Sequence, residues 1–207
     1  MSIFESKGKN LPQGDRTYKK FLETAKFWLK ELDFYGSNQF KKVTPRSEWT
    51  IGQVYDHLIN GTRAYHMREI RKCLERTGGS EEGKKLFKGH LVFFLGRFPA
   101  VKIKGVDPNG YVPAQPESPE KVKDEFFKFF KEMQKIAKDL DASPSTYKTM
   151  HPSLGMLTGY EWYQVIEMHF RHHLRQKRGI DKSIRSLYKE TESAEVFPEA
   201  EIDDYIS

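Results

Sequence analysis

Between Trp162 and Lys177 the chain reads WYQVIEMHFRHHLRQK, with three of its seven histidines inside five consecutive positions. Read as a helix, Trp162, Ile166, His169, His173, Gln176 and Ile180 step by four, three, four, three and four, the spacing by which a helix addresses its neighbours in a bundle. His169 and His173 are then separated by about 40° and one turn, so both imidazoles point inward at one place. His172 falls about 60° from His169 on the flank of that seam, and Arg171 projects outward. Burying two unpaired imidazoles in an apolar seam costs about 1 to 3 kcal/mol each. A shared metal ion would satisfy both, but it needs a third ligand.

Composition limits where that ligand can come from. Cys73 is the only cysteine, which excludes an intramolecular disulfide or a cysteine-built metal site and leaves His, Asp and Glu. A length of 207 residues favours one domain with one sizeable core. The net charge of +6 would suit a polyanion, but 35 basic residues are interleaved with 29 acidic ones. No recognition-helix, zinc-finger or RNP-like pattern accompanies the charge, so no nucleic-acid partner is expected. A mild positive field would equally draw in a small carboxylate-bearing ligand. No apolar run follows the N-terminal charges, and no stretch approaches the roughly 18 apolar residues of a membrane span. A cytoplasmic protein with no membrane partner is therefore expected.

Along the chain, residues 1–14 read as an N-terminal arm containing Gly8 and Pro12. From Asp15, an apolar stripe of Tyr18, Phe21, Leu22, Ala25, Trp28, Leu29 and Leu32 predicts a helix that Gly36, Ser37 and Asn38 end. Ser47 or Thr50 can cap a second helix over about Ile51 to Arg76, with Ile51, Val54, Tyr55, Leu58, Thr62 and Tyr65 facing the core. Gly61 there marks close packing or a weak point, and Gly78 and Gly79 end it. Ser80 opens a third helix reaching Gly96. The prolines between Phe98 and Pro119 forbid a long helix and predict a structured crossing loop with aromatic anchors such as Tyr111. Ser118-Pro119-Glu120 then starts a helix whose stripe of Phe126, Phe127, Phe129, Phe130, Met133, Ile136, Ala137 and Leu140 belongs to the core. Thr158 and Glu161 form a capping box for the histidine helix. Residues 181–207 read as an extension, with a short helical opportunity at 184–188 before an acidic tail. Without alternating strands, the pattern specifies an all-α four-helix bundle over residues 15–180 with an irregular Pro-rich crossover.

Four histidines compete for the third ligand position. His57 sits at the edge of the second helix's apolar stripe, where a neighbouring helix can face it. His66 lies between Arg63 and Arg68 and reads as surface, His90 belongs to the third helix, and His151 precedes Pro152, where turn or capping duty is expected. No HExxH is present, since Phe170 stands where the glutamate would be, and Glu167 is only two residues from His169, which breaks a di-iron ExxH pattern. Gln53 and Gln176 read as outer-sphere or substrate-facing groups, or equally as solvated glutamines. Cys73 reads as a small buried apolar residue.

Trp49 to His57, then His151-Pro152, Gly155, Leu157-Thr158, Glu161-Trp162, and finally His169, His173 and Gln176 together resemble the DinB/YfiT-like metal-binding bundle family, over roughly residues 15–180. The resemblance implies a four-helix bundle whose cleft binds a divalent ion, commonly nickel or zinc, through His57, His169 and His173. It also implies a metal-dependent enzyme acting on a small molecule, either as an S-transferase using a low-molecular-weight thiol or as a hydrolase. Three neutral histidines leave such an ion an open position, which lowers the pKa of a bound water or thiol. The alternative is a non-catalytic bundle in which the ion is mainly structural, with a homodimer interface supplied by Phe93, Phe94, Phe126 and Phe130.

Overall fold

Four amphipathic rods form the body of the molecule. The computed structural model of the chain describes residues 11–45, 47–99 and 110–189. Helix α1 spans Gln13–Glu31 and buries Phe21, Ala25 and Trp28. Its first amides have no cap of their own at Pro12. Asp141 supplies one from another helix, accepting from Gly14 N at 2.8 Å and Asp15 N at 3.2 Å, where a carboxylate also complements the helix dipole. A short helix α2, Ser37–Phe40, follows where the sequence suggested only a helix end.

The second rod is continuous in its right-handed helical backbone but not in its pitch. It comprises α3 (Ile51–Asp56), two π-helical turns (His57–Gly61 and Arg63–Met67) and α4 (Arg68–Glu75). Thr50 rather than Ser47 caps it. Thr50 Oγ1 accepts from Gln53 N, and Gln53 Oε1 accepts from Thr50 N, both at 3.0 Å, the reciprocal pairing of a capping box. The rod ends at Arg76, which takes the left-handed conformation itself (φ 56°), two residues before the expected Gly78.

Helix α6, Pro119–Ala142, starts where expected, with Ser118 Oγ accepting from Lys121 N. Its Val122, Phe126, Phe129, Met133, Ala137 and Leu140 are buried, while Phe127 is 55% exposed and falls outside the core stripe. Helix α7, Gly159–Lys189, opens with the expected capping box, in which Thr158 N donates to Glu161 Oε2 and Glu161 N to Thr158 Oγ1. It runs unbroken past Gly179 to Lys189 and takes in the helical opportunity at 184–188. Helix α1 packs on α6 and α7, and α3 and α4 pack on α7. At the centre, Phe21 meets Phe170 edge to face at 5.1 Å. Three buried polar ring edges there find carbonyls: Trp28 Nε1 donates to Phe170 O, Tyr55 OH to Trp28 O and Tyr163 OH to Met133 O. The expectation of an all-α bundle holds.

One part of the chain departs from it. Strands β1 (Lys148–His151) and β2 (Gly155–Thr158) form an antiparallel hairpin with His151 opposite Gly155. Ser80 bridges to Lys148 and Lys85 to Gly155. Because residues 80–85 pair with this hairpin, the third helix does not begin at Ser80. Helix α5 is confined to Phe87–Leu95, and it leaves Phe87 (83%) and Phe94 (87%) exposed. In the crossing loop, Tyr111 OH donates to the carboxylate of Asp56, as does Ala114 N at 2.9 Å, so the expected aromatic anchor is present. Residues 100–109 of that loop, most of the N-terminal arm (1–10) and the acidic tail (190–207) lie outside the described residues.

Candidate metal centre

The first π turn begins at His57 and the seam of α7 carries His169 and His173. Their Nε2 atoms converge. His169 Nε2 lies 3.0 Å from His57 Nε2 and 3.0 Å from His173 Nε2, and one nitrogen from each ring falls within 4.8 Å of the other two. The ring centroids are 4.5 to 4.8 Å apart. Gly61 makes room for this, because a Cβ there would sit 3.1 Å from His57 Nδ1 and 3.3 Å from Tyr111 Cε1. Of the two readings of Gly61, close packing is the one realised.

The protons of this cluster cannot be arranged so that every nitrogen is satisfied. Burial, and then the neighbouring histidines, lower the pKa of His169 and His173 well below the usual value, so each ring is neutral at pH 7 and carries one N–H. His173 Nδ1–H donates to Gln176 Oε1 at 2.7 Å, which leaves a lone pair on its Nε2. A proton on His169 Nε2 serves at most one of two neighbours well and leaves Nδ1 a buried acceptor. A proton on Nδ1 is a buried donor, and Nδ1 has no hydrogen-bond partner among the described residues. A cation accepting the converging lone pairs removes the conflict. The donor set therefore fits a metal ion, and these three histidines could hold one.

The outer residues divide clearly. Gln176 lies where the sequence suggested, and its Nε2 donates onward to Ser47 Oγ at 3.4 Å. Gln53 is engaged by the cap and the crossing loop: beyond its capping role, its Nε2 donates to Pro113 O at 3.2 Å. Trp49 packs its ring 5.0 Å from that of His57. Asp56, the residue before His57, already accepts from Tyr111, Ala114 and Asn60. The leading charges that act on His169 and His173 come from other histidines.

His66 is a correction. It is buried, 8% exposed, with its ring 5.1 Å from that of His169, and burial lowers its pKa to about 3. In a uniform α-helix the nine residues after His57 turn about 180°, which would put His66 on the opposite face. The two π turns rotate less per residue and bring it round to the cleft. A π turn has no composition signature of its own, so sequence reasoning had little means of finding it. His151 does the turn duty expected of it, its Nδ1 accepting from Ser153 N and Leu154 N. His90 is exposed on α5. Arg171, expected in solvent, is held by both oxygens of Glu167 and by Gly96 O. Cys73 is buried beside Thr149 and Leu157, and burial raises its pKa.

Among the described residues no helix is long and apolar enough to cross a membrane. No curated protein and no solved structure matches the chain. A family model matches over residues 23–176, a span that includes His57, His169, His173 and Gln176. The chain belongs to the DinB superfamily, whose members are metal-binding proteins.

Proposed function

We propose that this protein is a metal-dependent enzyme that transfers a small thiol, with a divalent ion, nickel or zinc, held by His57, His169 and His173. The observation that carries this reading is the convergence of the Nε2 atoms of three histidines, with the described acid nearest in sequence, Asp56, engaged elsewhere. A hydrolase requires a general base next to its water. The nearest acid in sequence, Asp56, already accepts from three donors that hold it to Asn60 and the crossing loop, which favours S-transfer over hydrolysis. When bound, the ion would supply Lewis acidity that holds a thiol as its nucleophilic thiolate near neutral pH. The chain's own contribution is positional. Gln176 fixes the tautomer of His173, Gly61 admits the ring of His57, and Trp49 packs against His57 on an apolar side.

Elemental analysis of untagged protein after reconstitution with nickel or zinc tests the centre, with one equivalent expected. Less than about half an equivalent, unchanged in His57→Ala, His169→Ala and His173→Ala, would remove it. Turnover of a thiol panel against an electrophile such as 1-chloro-2,4-dinitrobenzene tests the reaction. No turnover in metal-loaded protein, with a large loss of thermal stability on chelation, would favour a structural ion instead.

A further inference from the structure

Beside the histidine cluster is a small cleft that the metal reading does not use. It is lined by Arg97, Phe98, Met168, Arg171, His172 and Arg175. The last residues of α5 and the beginning of the crossing loop bring Arg97 and Phe98 over the flank of α7. The Phe98 ring stands edge-on to His172 at 5.8 Å. His172 is the wall between this cleft and the cluster, since its ring lies 5.5 Å from that of His173.

The charge in this cleft is unbalanced. Glu167 holds Arg171 through both oxygens and also lies 3.7 Å from Lys20. Arg97 and Arg175 have no acidic partner among the described residues. Two guanidinium groups thus share a cleft with an aromatic edge and a histidine, while a third is locked in place by a carboxylate and the Gly96 carbonyl. Guanidinium forks match the planar, bidentate geometry of a carboxylate, and a partly enclosed site strengthens the pairing.

We propose that this cleft is the subsite for a carboxylate carried by the small molecule that reacts at the histidine cluster, with Arg97 and Arg175 as its binding residues and His172 between the two sites. This rests on the metal-centre reading above and narrows its substrate: the carboxylate and the reacting thiol belong to one molecule, a few bonds apart, because only one imidazole separates the two places. Arg171, already paired, is a positioning residue that holds the α5 terminus and hence Arg97.

The subsite can be tested apart from the metal. Calorimetric titration with succinate at low salt, on protein as purified, should show saturable binding that weakens roughly tenfold or more in Arg97→Gln/Arg175→Gln. The diamide succinamide should not bind, and Arg97→Lys/Arg175→Lys should restore part of the affinity. Both Gln substitutions lie at exposed or half-exposed positions, and an unchanged melting temperature confirms the fold. Succinate binding that is absent, or equal in wild type and the Gln variant, overturns the subsite. A second titration reads the link to the metal centre. In cobalt-loaded protein, the sulfur-to-cobalt charge-transfer band should appear at roughly tenfold lower 3-mercaptopropionate than 2-mercaptoethanol, and Arg97→Gln/Arg175→Gln should abolish that preference. Equal affinity for the two thiols in wild type severs the subsite from the metal centre and overturns the assignment of substrate. No band with any thiol sinks the thiol reading, while the succinate result still decides the subsite.

Discussion

Two buried polar clusters occupy successive turns of α7, and they are satisfied in opposite ways. Both are built on an i, i+4 pair: His169 with His173, then Lys177 with Asp181. The second cluster is closed. Lys177, 1% exposed, donates at 2.7 Å to Glu31 Oε2 and at 2.7 Å to Asp181 Oδ2. Tyr35 OH donates to the other oxygen of Asp181 at 2.6 Å, and the ammonium lies 5.1 Å from the Tyr35 ring centroid. The first cluster is open, with three imidazole nitrogens facing one another and His169 Nδ1 without a hydrogen-bond partner among the described residues. A group that a fold uses to pin its helices is matched by the fold's own residues. A cluster left mismatched one turn from a fully matched one is shaped for something the chain does not supply.

The largest effect should come from breaking the closed cluster. Replacing Lys177 by Met leaves Glu31 and Asp181 buried without their cation, and urea denaturation should show a loss of about 3 to 5 kcal/mol. Adding Glu31→Gln and Asp181→Asn to that variant should recover much of it, since the cost lies in uncompensated charge rather than in the missing contact. A Lys177→Met variant within about 1 kcal/mol of wild type would mean the two clusters do not differ as claimed.

The open cluster should behave in the reverse manner. Without metal, His57→Ala, His169→Ala and His173→Ala should cost little stability, because each removes one of the Nε2 atoms whose protons conflict at the cluster. With metal at a thousand times its dissociation constant, wild type should gain about 4 kcal/mol, and the three variants should gain none. Differential scanning calorimetry with and without chelator distinguishes the outcomes; metal-free variants that unfold as readily as Lys177→Met would place both clusters in the same structural class.

Two glutamines sharpen the contrast on a smaller scale. Gln176→Leu removes the acceptor that orients His173 and should weaken metal binding about 10- to 100-fold with little change in metal-free stability. Gln53→Ala should do the opposite, costing roughly 1 kcal/mol through the lost cap and leaving metal affinity unchanged. Competition titration with a chromogenic chelator measures the first effect and thermal melting the second.

What was readable in advance follows from how local each feature is. The caps at Thr50, Ser118 and Thr158, the buried stripes and the inward pair on α7 are set within one or two helical turns, so periodicity carries them. His57 joined the pair only through the family resemblance, because its position depends on how the second rod crosses α7. The place of His66 depends on two π turns that alter the twist between it and His57, and the start of α5 depends on Ser80 and Lys85 pairing with a hairpin more than sixty residues away. The helical angle alone points Arg171 at solvent, whereas the terminus of α5 lies over that face and Glu167 holds it there. Each miss is a tertiary contact or a change of helical pitch that residue types do not encode locally.

His151 offers the finest test, because it is a histidine whose partners the chain itself supplies, as in the closed cluster. Its Nδ1 accepts two backbone N–H groups, and its ring packs 5.1 Å from Trp162. Burial lowers its pKa to about 4 in the folded chain, against an unfolded value near 6.5. Between those values the unfolded chain binds a proton that the folded chain does not. The contribution of His151 is therefore complete above about pH 6.5 and is lost as pH falls through about 4. His151→Asn can still accept the two amides but cannot titrate there, so its melting temperature should fall less steeply with pH over that window while its metal content stays at the wild-type value. An identical pH slope would show that His151 is protonated in both states alike, and a loss of metal in the variant would move His151 from the closed set to the open one.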